Sequence, residues 1–286
     1  MVHFNKVTII GVGLIGGSLA RVMKAQGIAG EIHGAGRGRS TLELALGLGI
    51  IDRIDEGASH GVGDADLVVL ASPVGTFETI VREIAPHLKK GATLTDVGSV
   101  KGALVRKIED MLPEGVHYVP AHPIAGKEKH GVSESSEALF RRAKCIITPT
   151  GKTGIQALET VKAVWLAAGA NVIVMDADLH DKVFAAVSHL PHVAAYAMIS
   201  TVAGLRSGDE NYLDFSGGGF RDFTRIAASS PEMWKDICLM NRDNIIPLID
   251  RYVAALNQLK REIIDGDEKR LEQHFKASSD ERKRLG

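Results

Sequence analysis

Residues Ile9–Ala20 read "IIGVGLIGGSLA": an apolar run, the pattern Gly11-x-Gly13-x-x-Gly16, and then a helix-forming segment. Glycine at these three places permits a tight turn, close approach of a pyrophosphate to the backbone, and packing of helix on strand. The unpaired N–H groups where Leu14, Ile15 and Gly16 open the helix, together with its dipole, favour an anion there. Glycine-rich turns are common, so the pattern takes its meaning from its place inside a strand–helix–strand unit. Apolar runs of strand length recur at 6–11, 31–36, 66–72, 92–99, 116–122, 144–150 and 171–176. Between most of them apolar residues fall at helical spacing, as at Phe77, Ile80, Val81, Ile84 and Leu88. Strands apolar on both faces and separated by helices imply a parallel sheet covered on each side.

After Asp176 the texture changes. Leu179, Val183, Val187 and Leu190 mark one stripe of a long helix, and no further strand is expected. Ile245, Ile249, Tyr252, Leu256, Leu259 and Ile263 step by four and three, a pattern of close helix packing. The expected fold is α/β: an N-terminal Rossmann-type dinucleotide-binding domain over residues 1–176, followed by an all-helical domain over residues 177–286. A helical second domain of this length often builds a dimer interface. The charged tail from Gln273 to Gly286 is expected to fray.

Of the 286 residues, 45% are hydrophobic and 24% charged, the profile of a soluble globular protein with a core. A net charge of -1 advertises neither a nucleic-acid nor a membrane surface, and 5% aromatics argues against base-stacking platforms. Cys145 and Cys238 sit in apolar contexts without a CxxC partner and read as reduced. The N-terminus lacks a secretory pattern, and no apolar stretch of membrane-spanning length is evident. A cytoplasmic location and a small-molecule partner are expected.

The run at 31–36 leads into "GAGRGRS" (Gly34–Ser40), where an NAD site usually carries an acid for the ribose hydroxyls. Gly36 stands in that place, followed by Arg37, Arg39 and Ser40. A missing acid and two guanidinium groups suit a 2′-phosphate, so the expected cofactor is NAD or NADP with a lean to NADP. In an open parallel sheet ligands gather at the carboxyl ends of the strands. Ser72-Pro73-Val74 ends the third run, "TDVGSVK" with Asp96 and Ser99 ends the fourth, and "HPIAG" (His122–Gly126) ends the fifth. His122 is thereby expected where cofactor and substrate meet.

In the helical half, "SHLPH" places His189 and His192 three apart on one face, with Pro191 expected to loosen the preceding turn. "SGGGFRDFTRIA" (Ser216–Ala227) sets Arg221 and Arg225 after three glycines, a loop able to close on a ligand with a guanidinium fork. His122, His180, His189 and His192 could in principle ligate zinc. No HExxH or cysteine pair accompanies them, and no metal is expected. His60, His87 and His274 read as solvent-facing.

Six motifs in order, "GVGLIGGSLA", "ASPV", "DVGSVK", "HPIAGKEKHG", "SHLPH" and "GGGFRDFTRIA" with Met233-Trp234 beyond, resemble the prephenate dehydrogenase family, which includes arogenate dehydrogenases. The resemblance covers roughly Val7 to Asn241. It implies a nucleotide-binding domain joined to a helical dimerisation domain, a homodimer, and oxidative decarboxylation on the route to tyrosine. It also implies residue roles: His122 accepts a hydrogen bond from the ring hydroxyl, and Ser99 orients it. Arg225 takes a substrate carboxylate, His189 and His192 line the pocket, and Glu128, Asp222 and Trp234 support or gate it. Prephenate is favoured over arogenate. The chain begins at the first strand and ends after the helices, so no fused mutase or regulatory domain is expected, and tyrosine inhibition would act at the active site itself. A β-hydroxyacid dehydrogenase would need a catalytic lysine, for which Lys182 lacks the glycine-rich lead. A nucleotide-sensing module would not need His122, Ser99 and Arg225 together.

Overall fold

The computed structural model describes residues 2–285 apart from 128 and 130. Phe4–Ile10 (β1), Ala29–Ala35 (β2), Arg53–Ile54 (β3), Leu67–Leu70 (β4), Thr93–Asp96 (β5) and His117–Val119 (β6) form one parallel sheet in the order β3-β2-β1-β4-β5-β6. The order reverses between β1 and β4, which pair from Val7–Leu67 to Ile10–Leu70, and a crevice opens beyond their carboxyl ends. Helices Leu14–Ala25 (α1), Arg39–Gly47 (α2), Ala58–Gly61 (α3), Phe77–Ile84 (α4) and Gly102–Met111 (α5) connect the strands. Ile9, Leu19, Met23 and Ile32 are buried in one cluster, while Val68, Leu70, Phe77 and Leu94 are buried in another. Burying each such side chain fully contributes about 1.5–3 kcal/mol, which is why both faces of these strands read as apolar.

The run at 116–122 does not form one strand. Pro120 follows the end of β6, and Ala121–Ile124 (β7) starts a second sheet, where β7 pairs antiparallel with Lys144–Ile147 (β8). Asn171–Val174 (β9) lies parallel to β8, after helix Ile155–Ala167 (α6). Pro123 is tolerated because β7 is the edge strand. His122 therefore sits within a strand of the small sheet, opposite Ile146, and not at the end of a strand of the large one.

Among the described residues from Ala177 onward the regular structure is helical apart from a two-stranded hairpin, Arg206–Ser207 (β10) and Glu210–Asn211 (β11), which was not expected. Ala177–Phe184 (α7) passes through a π-helical turn, Ala185–His189, into Leu190–Ala203 (α8). Pro191 explains the turn: it has no N–H for the preceding turn, and its ring crowds the carbonyl four residues back. Gly218–Thr224 (α9), Pro231–Met240 (α10), Arg242–Asp265 (α11) and Glu268–Lys283 (α12) complete the chain. Over residues 273–283 the expected fraying gives way to the continuous helix α12. The Asp267 side chain caps α12 by accepting from Arg270 N, and His274 docks it on the buried Glu262 of α11 at 3.3 Å.

One further expectation is corrected. The continuous helix Ala177–Ala203 is long and apolar enough to cross a membrane by length and composition, an 18-residue stretch of it having mean hydropathy 1.3 with 22% of that stretch buried. It also holds the buried polar pair His180 and Asp181. Val187 of this helix and Val253, Leu256 and Ile263 of α11 are exposed on a single chain.

Candidate active site

The turn from β1 to α1 shows why three glycines stand there. Gly11 has φ +99°, and a Cβ on it would lie 2.6 Å from Ser72 N. A Cβ on Gly16 would meet Gly11 O at 2.4 Å. A Cβ on Gly13 would meet nothing within 4 Å, so that side of its backbone is open to the crevice. That crevice is a cavity of about 700 Å³ walled by Gly11, Gly13, Gly36, Arg37, Ser72 and Pro73 among others. Gly13 is the N-cap of α1, with no acid in the first turn to compete for the free N–H groups of Leu14, Ile15 and Gly16. An open backbone cradle at a helix start, on the reversal of strand order, fits the pyrophosphate of a dinucleotide.

Other expected cofactor contacts sit elsewhere. Arg39 points away to Glu43 on its own helix, Nε to Oε1 2.8 Å, and neither it nor Ser40 lines the cavity, whereas Thr41 does. Val74 is buried beneath the wall. Asp96 is fully buried, and its carboxylate accepts from Gly98 N at 2.8 Å, Tyr118 OH at 3.0 Å, Ala121 N at 3.1 Å and Lys101 Nζ. The side chain expected at the cofactor is instead an internal post: it pins the chain at Ala121, one residue before His122, as it crosses from one sheet to the other.

His122 is buried, with Nδ1 2.8 Å from His180 Nε2, and His180 Nδ1 lies 2.9 Å from Asp181 Oδ1. The same Oδ1 accepts from Lys101 N at 2.8 Å, which joins α7 to the start of α5. Phe184, one turn beyond His180, packs on both imidazoles at 5.0 Å and 4.5 Å. Burial, then His180, Lys101 and His189, hold His122 well below the usual imidazole range. Burial also lowers His180, against the opposing hydrogen bond to Asp181. Both rings are neutral at pH 7. Ser99, expected to orient His122, is half-buried after β5 and makes no hydrogen bond to it; the side chain that meets His122 Nδ1 is His180.

His189 and His192 flank Trp234. His192 stacks on the indole at 3.7 Å, and His189 meets it edge-on at 5.9 Å. Asn241 Nδ2 donates to Asp181 O at 2.8 Å and to His189 Nδ1 at 3.0 Å, while its Oδ1 accepts from Asn244. His189 thus carries its proton on Nε2 and is a donor, pushed down to about 4 first by burial. Trp234 Nε1 is buried with no hydrogen-bond partner among the described residues. Such an orphan donor suits a ligand acceptor. Helix α10, which carries Trp234, packs on the turn at Val74–Thr76, where a Cβ on Gly75 would strike the Asp236 carboxylate at 2.2 Å. The histidine cluster and the cavity wall are in this way built on shared contacts.

Arg225 opens a 3₁₀ turn, Arg225–Ala228, packed on α8, and both it and Asp222 are exposed. Glu128 lies outside the described residues.

The family model "Prephenate dehydrogenase, nucleotide-binding domain" matches residues 19–174, and "Prephenate dehydrogenase, dimerization domain" matches residues 176–277. The chain belongs to the prephenate dehydrogenase family. The cyclohexadienyl dehydrogenase of Zymomonas mobilis is 36% identical over 279 residues, 97% of this chain and 95% of that protein. The prephenate dehydrogenase of Bacillus subtilis is 34% identical over 279 residues, 97% of this chain and 75% of that one. A crystal structure of prephenate dehydrogenase from A. aeolicus, in complex with hydroxyphenyl propionate and NAD+, superposes with a TM-score of 0.93 at 40% identity, covering 99% of this chain and 98% of that one.

Within this prephenate dehydrogenase family member, Asp181 and Asn241 shape the cluster without having been singled out by any motif, Lys101 was read only as part of the TDVGSVK run, and His180 was weighed only as a zinc ligand. A signal was available for two of them. An adjacent His-Asp pair within a helix, once buried, needs partners, because unpaired polar groups are costly there.

Proposed function

We propose that this protein catalyses the oxidative decarboxylation of prephenate to 4-hydroxyphenylpyruvate in tyrosine biosynthesis, as a cytoplasmic nicotinamide-dependent dehydrogenase. The single observation that carries the reading is a neutral, buried His122 held by a second imidazole, in a chain of this family. His122 accepts the hydrogen bond of the ring hydroxyl and takes up its proton as the carbinol C–H bond breaks. The bound nicotinamide supplies the hydride acceptor. The ring carboxylate leaves as carbon dioxide, its bonding pair completes the aromatic ring, and the proton returns to the phenol oxygen. Arg225 binds a substrate carboxylate, and His189 and the Trp234 indole offer N–H donors to the same dianion.

In this reading Gly11, Gly13 and the first turn of α1 would hold the pyrophosphate, and Ser72 and Pro73, in the wall of the same cavity, would contact the bound dinucleotide. Gly36 leaves no carboxylate for the ribose hydroxyls and Arg37 lines the cavity, which favours NADP, although the similar A. aeolicus enzyme was crystallised with NAD+. The protein works as a homodimer, with exposed apolar residues such as Val187 and Ile263 covered by a second copy. Reduced-nicotinamide absorbance, followed for prephenate and arogenate with each cofactor, tests the whole reading. Turnover of neither substrate with either cofactor would remove it.

A further inference from the structure

Buried hydrogen bonds around His122 leave one consistent arrangement of protons. Asp181 Oδ1 accepts from the Lys101 N–H at 2.8 Å and lies 2.9 Å from His180 Nδ1. A carboxylate offers only lone pairs, so the His180 proton is on Nδ1 and its Nε2 is an acceptor. Facing that acceptor at 2.8 Å is His122 Nδ1, which must be the donor. A neutral imidazole has one N–H, so His122 Nε2 is left bare. Asn241 treats His189 in the opposite sense, donating to its Nδ1 and leaving Nε2–H. Two buried histidines thus present opposite characters, one an acceptor and the other a donor.

We infer that Asp181 and His180 are positioning residues that set the tautomer of His122 and so make its Nε2 the base. The inference deepens the proposed function and rests on it for the identity of the proton that His122 takes. When the hydroxyl proton passes to Nε2, the O–H bond breaks, its electron pair stays on oxygen, and His122 becomes an imidazolium. Its Nδ1 proton can then move to His180 Nε2, which puts the positive charge on the ring beside Asp181. Of the other charges near the two rings, the Lys101 ammonium is neutralised by Asp96, and His189 is uncharged at pH 7. The carboxylate that answers the new charge is Asp181.

A purely structural role is the competing account, since Asp181 also bridges α7 to Lys101 N, and a Cβ on Gly102 would meet its Oδ2 at 2.5 Å. The full-length protein with [15N]histidine separates the two, His122 being assigned by its loss in His122→Asn. Long-range proton–nitrogen correlations should show His122 protonated on Nδ1 in the wild type. A wild type protonated on Nε2 overturns the inference, and this measurement needs neither substrate nor turnover. Failure to oxidise prephenate beside an intact Nδ1–H signal would therefore sink the proposed function and leave the relay standing.

Three variants give the kinetic arm. Asp181→Asn keeps shape and an oxygen for the Lys101 N–H while removing charge, so kcat should fall on the order of 10²- to 10⁴-fold with KM little changed. The acid limb of kcat/KM should also move to lower pH, because removing an anion lowers the imidazole pKa. His180→Gln, whose amide oxygen can accept from His122 Nδ1–H, should retain more activity than His180→Leu. Equal kcat in both His180 variants, or an unmoved acid limb in Asp181→Asn, overturns the inference.

Discussion

The imidazole of His192 lies on the indole of Trp234, with ring centres 3.7 Å apart and planes 22° from parallel. The contact ties α8 to α10, and α10 in turn abuts the Val74–Thr76 turn in the wall of the nucleotide crevice. One stacked pair therefore reports on the junction between the crevice and the histidine cluster.

That stacking predicts an optical signal. Protonating His192 places a cation on the Trp234 face and should quench its emission. Burial lowers His192, so the quench should have a midpoint below the ordinary imidazole value of about 6.5. The other tryptophan, Trp165, is buried against Phe140 and supplies a steady background. His192→Asn should abolish the step. A step that survives this substitution would assign the titration to another group.

Loss of the proposed base should be selective. His122→Asn should lower kcat on the order of 10²- to 10⁴-fold and leave the nicotinamide Kd unchanged. The wild-type acid limb should lie below the ordinary imidazole range, because the neutral ring is the active form and burial, His180, Lys101 and His189 all disfavour its protonation. A near-wild-type rate in the variant would remove His122 from the chemistry.

Arg225→Gln should act mainly on substrate binding. Removing a charge that meets a carboxylate in both ground and transition states should raise KM on the order of tenfold to a hundredfold, with a smaller change in kcat. An unchanged KM for prephenate would detach Arg225 from the substrate.

Much of this was legible in the order of residues, for physical reasons that can be named. The turn at Gly11–Gly16 was readable because each glycine answers a local steric demand, and the parallel sheet because its strands are apolar on both faces. The division of 116–122 between two sheets was not, because it depends on Asp96 reaching Ala121 N from 25 residues away. His122 was singled out by its motif, whereas the imidazole that meets its Nδ1 lies 58 residues away in His180. Spacing along the chain carries no trace of such a contact. Fraying of the tail was expected from its charge alone, which overlooked the cap at Asp267 and the Glu262–His274 contact.

Two glycines in one turn should fail in different ways. Gly11→Ala places a Cβ within 2.8 Å of the Ser72 and Ala71 backbone at φ +99°, so it should cost about 2 kcal/mol or more of stability and lower Tm. Gly13→Ala meets no atom within 4 Å and should leave Tm unchanged. It should weaken dinucleotide binding about tenfold, which is ~1.4 kcal/mol. Thermal melts and nucleotide titrations on both variants check the contrast. A destabilised Gly13→Ala would mean that the space is not open.

His189 predicts a stability change on the acid side. Its folded value is pushed down to about 4, chiefly by burial, against an unfolded value of about 6.5. Below pH 6.5 the unfolded chain therefore binds a proton that the folded chain refuses, and stability falls as pH falls. The fall should continue until pH approaches 4, where the folded ring also takes its proton, and it amounts to about 3 kcal/mol for this one group. His122 and His180, also lowered by burial, act in the same direction, so the wild-type slope should exceed that of a single histidine. Urea unfolding at a series of pH values from 7.5 to 4.5 measures the slope, and His189→Gln should flatten it by the share of one proton. A slope that His189→Gln leaves intact would mean that His189 gains its proton equally in both states, and its burial against Asn241 and Trp234 would need another explanation.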